Sequence, residues 1–187
     1  VKPLVRELDE HRRRLDALRG GRFVGLPTVR FPQFDEATSG LRGTMVLAGP
    51  TGSGKSSFAV HAALEVLQHN LDAAVLFASL DMPRWTVMTR MKCVLSGIDY
   101  LSFLFDKHPG PVRGKSMAFS RKEIMGRKLA DDILAGVGER LRILDRGNCP
   151  RPSVETVLEQ ADALRESTGV PKVMIVVDDL PSWPAAG

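Results

Sequence analysis

The sequence predicts an α/β domain in which a mostly parallel sheet carries helices on both faces. Two observations point to it. Short apolar runs at 44–48, 73–79, 140–144 and 172–177 alternate with stretches whose apolar residues recur at helical spacing. A glycine-rich loop, "GPTGSGKSS" at 49–57, joins the first run to the helical stretch after it. Strands that alternate with helices bury their apolar sides best as a parallel sheet covered above and below.

The elements follow in chain order. Leu4, Leu8, Leu15 and Leu18 fall on one helical face, interrupted by Arg12, Arg13 and Arg14 and ended by Gly20 and Gly21, so residues 1–20 read as an appended linker helix. Its mixed charges suit a solvated face better than a nucleic-acid contact. "TMVLA" (44–48) is the first strand, and "SSFAVHAALEVLQHN" after the loop is the first helix of the domain. "AAVLFAS" (73–79) is a buried strand, and "MPRWTVMTRMKCVLSG" is the helix after it, with Pro83 tolerated in its first turn. "RLRIL" (140–144) and "KVMIVV" (172–177) are two further strands. Between them Ser153 caps a helix carrying Val154, Val157, Leu158, Ala161 and Leu164 on one face, closed by Gly169.

Residues 106–128 hold seven Lys or Arg against Asp106 and Glu123, so the chain's net charge of +4 is concentrated there. Proline and glycine at 109–114 predict a loop, and Ser120 with Glu123 forms a capping box for the helix that follows. A solvated loop is the first expectation for this stretch and a contact with a phosphate backbone the second.

Composition sets outer limits. A chain of 187 residues that is 43% apolar and 26% charged can bury one core. At 6%, aromatic residues are too few for an abundance of base-stacking platforms. The basic excess suits a polyanionic partner without requiring one. Cys93 and Cys149 are too far apart for a CxxC motif and too few for a disulfide framework, which predicts a reducing compartment. The most apolar run, Val173–Val177, is far short of the ~20 residues that a membrane helix needs, and no secretory signal is visible, so a soluble cytoplasmic protein is expected. The first residue is Val1, which fits processing or trimming as well as a piece of something longer.

The chemistry centres on Gly49, Pro50, Thr51, Gly52, Ser53, Gly54, Lys55, Ser56 and Ser57, which match the full phosphate-loop pattern in the context it requires, after a strand and opening a helix. The glycines let the backbone curl so that successive N–H groups face the phosphates, and the helix presents its positive end to them. Lys55 would reach the β- and γ-phosphates of ATP and Ser56 would ligate Mg²⁺. A second oxygen ligand must hold the ion from the far side. Asp178, at the carboxyl end of the strand 172–177, stands where ligands collect in such sheets. Hydrolysis also needs a carboxylate to polarise water. Asp179 follows Asp178 directly; Asp81 ends the second strand, where an aspartate two residues before Pro83 also makes an ordinary helix N-cap. Spacing leaves the two level.

The order of segments "FPQFDEATSGLRGTMVLAGPTGSGKSSFAVHAAL", "LFASLDM", "RMKCVLSGID" and "RLRILDRGNCPRPSVETVLEQADALRESTGVPKVMIVVDDL" resembles the ATPase domain of DnaB-type replicative helicases, RecA-like motors that assemble as rings. The similarity runs from about Gly25 to Leu180. In that family the catalytic glutamate sits in a Ser-Leu-Glu-Met segment, which here reads Ser79-Leu80-Asp81-Met82, so the resemblance favours Asp81 as the water-activating acid. Aspartate is one methylene shorter, which sets its carboxylate about 1.5 Å further back. The position of Asp179 is commonly tyrosine in the family, and the resemblance gives the acid no role. Arg90 matches a basic family position, where a structural partner for acidic side chains and a functional role are equally expected.

In RecA-like ATPases the polar-sensor strand lies between the phosphate-loop strand and the Asp178-type strand in space but comes later in sequence; the arginine finger and the DNA-contacting loops come later too. The chain stops at Gly187, ten residues beyond Val177. The expectation is therefore that residues 21–187 form the N-terminal, incomplete part of a RecA-like P-loop NTPase domain. The resemblance implies an Mg²⁺-dependent ATP-hydrolysing DNA helicase subunit, translocating on single-stranded DNA as a homo-oligomeric ring in replication. Two other functions stay open: a non-motor ATP-binding module or loader of the RecA/KaiC type, and a P-loop kinase, in which the phosphate-loop strand and the Asp178-type strand are neighbours.

Overall fold

The computed structural model describes residues 25–105, 120–150 and 153–179, together with positions 8–9, 11–13 and 16, which are helical and exposed. Most of the expected linker helix and the basic stretch 106–119 lie outside the described residues.

The centre is a three-stranded parallel sheet of order β2-β1-β3, with β1 at Ala73–Ser79, β2 at Leu141–Leu144 and β3 at Lys172–Asp178. β1 is buried along its whole length, as a strand paired on both edges and covered on both faces must be. Its alternate side chains divide between two cores. Ala73, Val75 and Phe77 pack on one face with Val60, Leu64, Leu67, Val87 and Met91. Ala74, Leu76 and Ala78 pack on the other with Leu144, Val157, Ala161 and Leu164. The first group brings in helices α2 (Lys55–His69) and α3 (Arg84–Ser96), and the second brings in α6 (Val154–Thr168). The predicted architecture is thus the observed one. The predicted caps hold as well: Ser153 Oγ accepts from the Thr156 N–H at 3.1 Å, Ser120 and Glu123 form a reciprocal capping box on α5 (Arg121–Val137), and Gly169 closes α6 at φ +69°.

One predicted strand is not a strand. Thr44–Ala48 carries no ladder, and Met45, Val46 and Leu47 are 44%, 75% and 53% exposed. A strand exists through the N–H and C=O groups of a neighbour, and among the described residues none lies alongside this run to pair with it. Among the described residues β3 pairs with β1 alone, so its outer edge has no described partner either.

Two short helices were not foreseen. α1 (Pro32–Thr38) and α4 (Tyr100–Phe105) are too brief to show a periodicity. α1 belongs to a hook that ties the segment before the phosphate loop to α2. Leu26 and Leu41 bridge the hook's ends, and a Cβ at Gly25 would lie 2.5 Å from the Leu41 carbonyl, so only glycine fits there. Inside it the buried Asp35 carboxylate accepts from the Thr28 N–H (2.6 Å) and hydroxyl (2.9 Å). Arg30 then reaches the buried Glu65 of α2, by its N–H at 3.0 Å and its guanidinium at 3.1 Å. Arg140 closes the opposite end of the sheet by donating to the carbonyls of Leu67, Asn70 and Ala73.

The edge of β2 away from β1, which pairs with no other described strand, is blunted by a side chain. The Asn148 amide donates to the Ile143 carbonyl at 2.8 Å and accepts from the Asp145 N–H at 2.8 Å, as a neighbouring peptide would. Among the described residues no helix is long and apolar enough to cross a membrane.

Candidate functional site

The carboxyl ends of the three strands form one row. Register pairs Ser79 with Asp178 and Ala78 with Leu144, so the first residue after β2, Asp145, stands level with Ser79 on the side away from Asp178. Ligands of parallel α/β sheets collect at this end.

The loop 49–57 rises from the unpaired run into the start of α2. Gly52 at φ +80° and Gly54 at φ +91° take left-handed conformations, and a Cβ at either would meet nothing within 4 Å. Glycine is needed there for backbone conformation and not for space. Gly54 is the N-cap and offers no side chain, so the first N–H groups of α2 are left to other acceptors. Thr51, Gly52 and Ser53 form the exposed crest of the loop, and Ser53 N–H closes its turn onto the Pro50 carbonyl at 3.2 Å. Lys55 folds back over the loop and donates to the carbonyls of Gly49 and Pro50, both at 2.8 Å. Ser57 is exposed on the first turn of α2.

Ser56 points the other way. Its hydroxyl donates to Asp178 Oδ1 at 3.0 Å, across 122 positions of sequence, in a half-buried setting. The two residues expected to share an ion are therefore within hydrogen-bonding distance of each other. Both are hard oxygen donors, the type that Mg²⁺ selects.

Asp81 lies two residues past the end of β1, in a turn held at its start by the Leu80 N–H on the Asp178 carbonyl (3.4 Å) and by the Met82 N–H on Ser79 Oγ (3.3 Å). It is exposed, and the structure removes its alternative role as a cap: the N-cap of α3 is Pro83, which makes no side-chain cap bond. Asp179 follows β3 in a left-handed conformation at φ +73° and is half-buried. Arg90 stands off the row, with its guanidinium over the Tyr100 ring at 5.9 Å.

The missing cap of α3 comes from Asp145. Its Oδ2 accepts from the Arg84 N–H at 2.6 Å, while Oδ1 accepts from Gly147 (3.1 Å) and Asn148 (3.0 Å). Burial pushes this carboxyl up, but the backbone donors of Arg84, Asn148 and Gly147 outweigh it and hold the group below the ordinary aspartate range. Sequence reading passed over Asp145, although the rule that singled out Asp178, an aspartate straight after an apolar strand, applies equally to "RLRILD". A cavity of about 540 Å³ lies beside it, away from the phosphate loop, lined by Arg84, Met88, Arg142, Asn148 and Gln160 among others.

A family model for the DnaB-like helicase C terminal domain matches residues 25–131, more than half of the 187. The chain belongs to the DnaB-like helicase C-terminal domain family. The match opens at the hook and closes within α5 of this DnaB-like domain. Two solved structures share its fold. One, "ATPase Domain of G40P", superposes with a TM-score of 0.80 at 16% identity, over 100% of this chain and 60% of that one. The other, "The Structure Of A DnaB-Like Replicative Helicase And Its Interactions With Primase", gives 0.77 at 16%, over 100% of this chain and 41% of that one. The DnaB-like domain thus spans less than two thirds of either chain. No curated protein matches it. The fold is RecA-like.

The Asp145 carboxyl gives a pH dependence. Its folded pKa is depressed, so the stability it contributes is complete above its unfolded value, about 3.9, and is lost as pH falls through the lower folded value. As pH falls below about 4, the unfolding free energy of the native protein should fall more steeply than that of Asp145→Asn. Denaturant titrations at several pH values measure this, and parallel acid limbs would contradict it.

Proposed function

We propose that this DnaB-like domain is the ATP-hydrolysing part of a DNA helicase subunit, working with Mg²⁺ in a homo-oligomeric ring that translocates on single-stranded DNA during replication. The observation that carries the reading is the Ser56–Asp178 hydrogen bond at 3.0 Å, which brings a helix-borne hydroxyl and a strand-end carboxylate together beside a phosphate loop.

The residues divide the work. The backbone N–H groups of the loop 49–57, to which Pro50 contributes none, and the uncapped start of α2 cradle the phosphates. Lys55 exchanges its carbonyl partners, Gly49 and Pro50, for phosphate oxygens. Ser56 and Asp178 would hold Mg²⁺, which would supply charge neutralisation for the transferred phosphoryl group. Asp81, free of a capping role, orients the attacking water and accepts its proton. Asp179 is the second candidate for that acid. One of the two similar structures is of a replicative helicase and its interactions with primase, which supports a place in replication for this chain too.

A second reading, an ATP-binding module or loader without motor activity, is favoured by aspartate at position 81, whose carboxylate reaches about 1.5 Å less far than the family's glutamate. DNA divides the two: ATPase activity of the full-length protein should rise when single-stranded DNA is added, and a rate indifferent to DNA would favour the module.

Nucleotide binding itself is tested at Lys55. Lys55→Ala removes charge-assisted hydrogen bonds worth about 1.5–3 kcal/mol each, so ATP affinity should fall roughly 10- to 150-fold in a fluorescent-nucleotide titration. Unchanged affinity would defeat the motor and the module alike.

A further inference from the structure

We propose that Asp145 is a positioning residue for hydrolysis: it anchors the turn that carries Asp81 to the edge strand of the sheet. The inference rests on Asp81 as the water-activating acid.

The turn 80–83 joins β1 to α3 and has two ends to secure. Its start is tied to β3 and to Ser79 by the Leu80 and Met82 N–H groups. Its finish is the first residue of α3, Arg84, and the N-cap Pro83 has no side chain able to accept the helix's free donors. The acceptor comes instead from 61 positions away, Asp145 Oδ2 at 2.6 Å.

Asp145 is built to hold that bond. Its Oδ1 is committed to the Gly147 and Asn148 N–H groups of its own loop, and its N–H is held by Asn148 Oδ1. The carboxylate therefore has one orientation, with Oδ2 turned to α3. The group is only 6% exposed, which a lone helix cap on the surface would not require. β2 fixes the loop in turn, since Leu144 is in register with Ala78 of β1. Asp178 and Asp145 thus stand on opposite sides of β1, and the turn bearing Asp81 is pinned between the ends of β3 and β2.

This placement matters because displacement of a reacting group by about 1 Å costs on the order of a hundredfold in rate. A carboxylate shorter than the family's by a methylene depends more on its backbone for reach. Residue 81 is exposed, and no described side chain bonds to it, so its position is set by the turn.

The test uses the full-length protein with Asp145→Ala, Asp145→Asn, Asp81→Asn and the double variant Asp81→Asn/Asp145→Ala, reading kcat, KM and ATP affinity, with the thermal midpoint as a check of folding. Asp145→Ala should lower kcat by about ten- to a hundredfold while ATP affinity moves less than about threefold. Added to Asp81→Asn, it should cost no further turnover, because it acts through Asp81. A role confined to stability would lower binding and turnover together, or add its loss undiminished in the double variant, and either result overturns the proposal. Should the alanine variant fail to fold, Asp145→Asn decides: it cannot accept on both oxygens, and an unchanged kcat overturns the proposal. If Asp81→Asn turns over normally, it is the assignment of Asp81 that fails. If Asp81→Asn is inactive and Asp145→Ala is not impaired, the positioning role alone fails.

Discussion

One contact joins the halves of the site, the hydroxyl of Ser56 on the carboxylate of Asp178. Everything upstream of it is arranged to deliver Ser56: the hook fastens the chain to α2 through Arg30 and Glu65, two left-handed glycines turn the loop, and the uncapped first turn of α2 follows. Everything downstream delivers Asp178. β3 must pair with β1 in a register that sets Ser79 beside it, and that register is held by a strand buried on both faces. A slip of one residue would turn the aspartate to the other face of the sheet.

A common plan runs along the strand ends. Each of the three strands ends in an aspartate or is followed by one within two residues, and the three differ in what surrounds them. Asp178 meets a hydroxyl, Asp145 meets backbone donors that lower its pKa, and Asp81 faces solvent. In the proposed reading, environment separates a ligand, an anchor and a reactive group that the sequence writes with one letter.

Much of this was legible in the sequence because it rests on local rules. The three paired strands, the helices between them, the caps at Ser120, Ser153 and Gly169 and the phosphate loop all follow from periodicity and from the conformational demands of single residues. What could not be read depends on distant partners. Apolar composition and the phosphate loop straight after it made "TMVLA" a strand, but a strand is defined by its neighbour, and this one has no described partner. Asp81 looked like the cap of α3 because the rule is local; the true cap crosses from β2. The hook was missed because its stability comes from buried polar pairs, Thr28 with Asp35 and Arg30 with Glu65, that leave no periodic trace. Membership of the DnaB-like helicase family was carried by the order of segments, which survives at a level where the solved relatives share only 16% identity with this chain.

The most direct measurement of the central claim is the Mg²⁺-dependent gain in ATP affinity, determined with and without the ion for the native protein, Ser56→Ala, Asp178→Asn and the double variant. If the two side chains grip one ion, each single substitution removes much of the gain and the double variant loses little more, a coupling of at least about 1 kcal/mol. A gain that survives both substitutions, or losses that simply add, would mean that Ser56 and Asp178 do not share an ion.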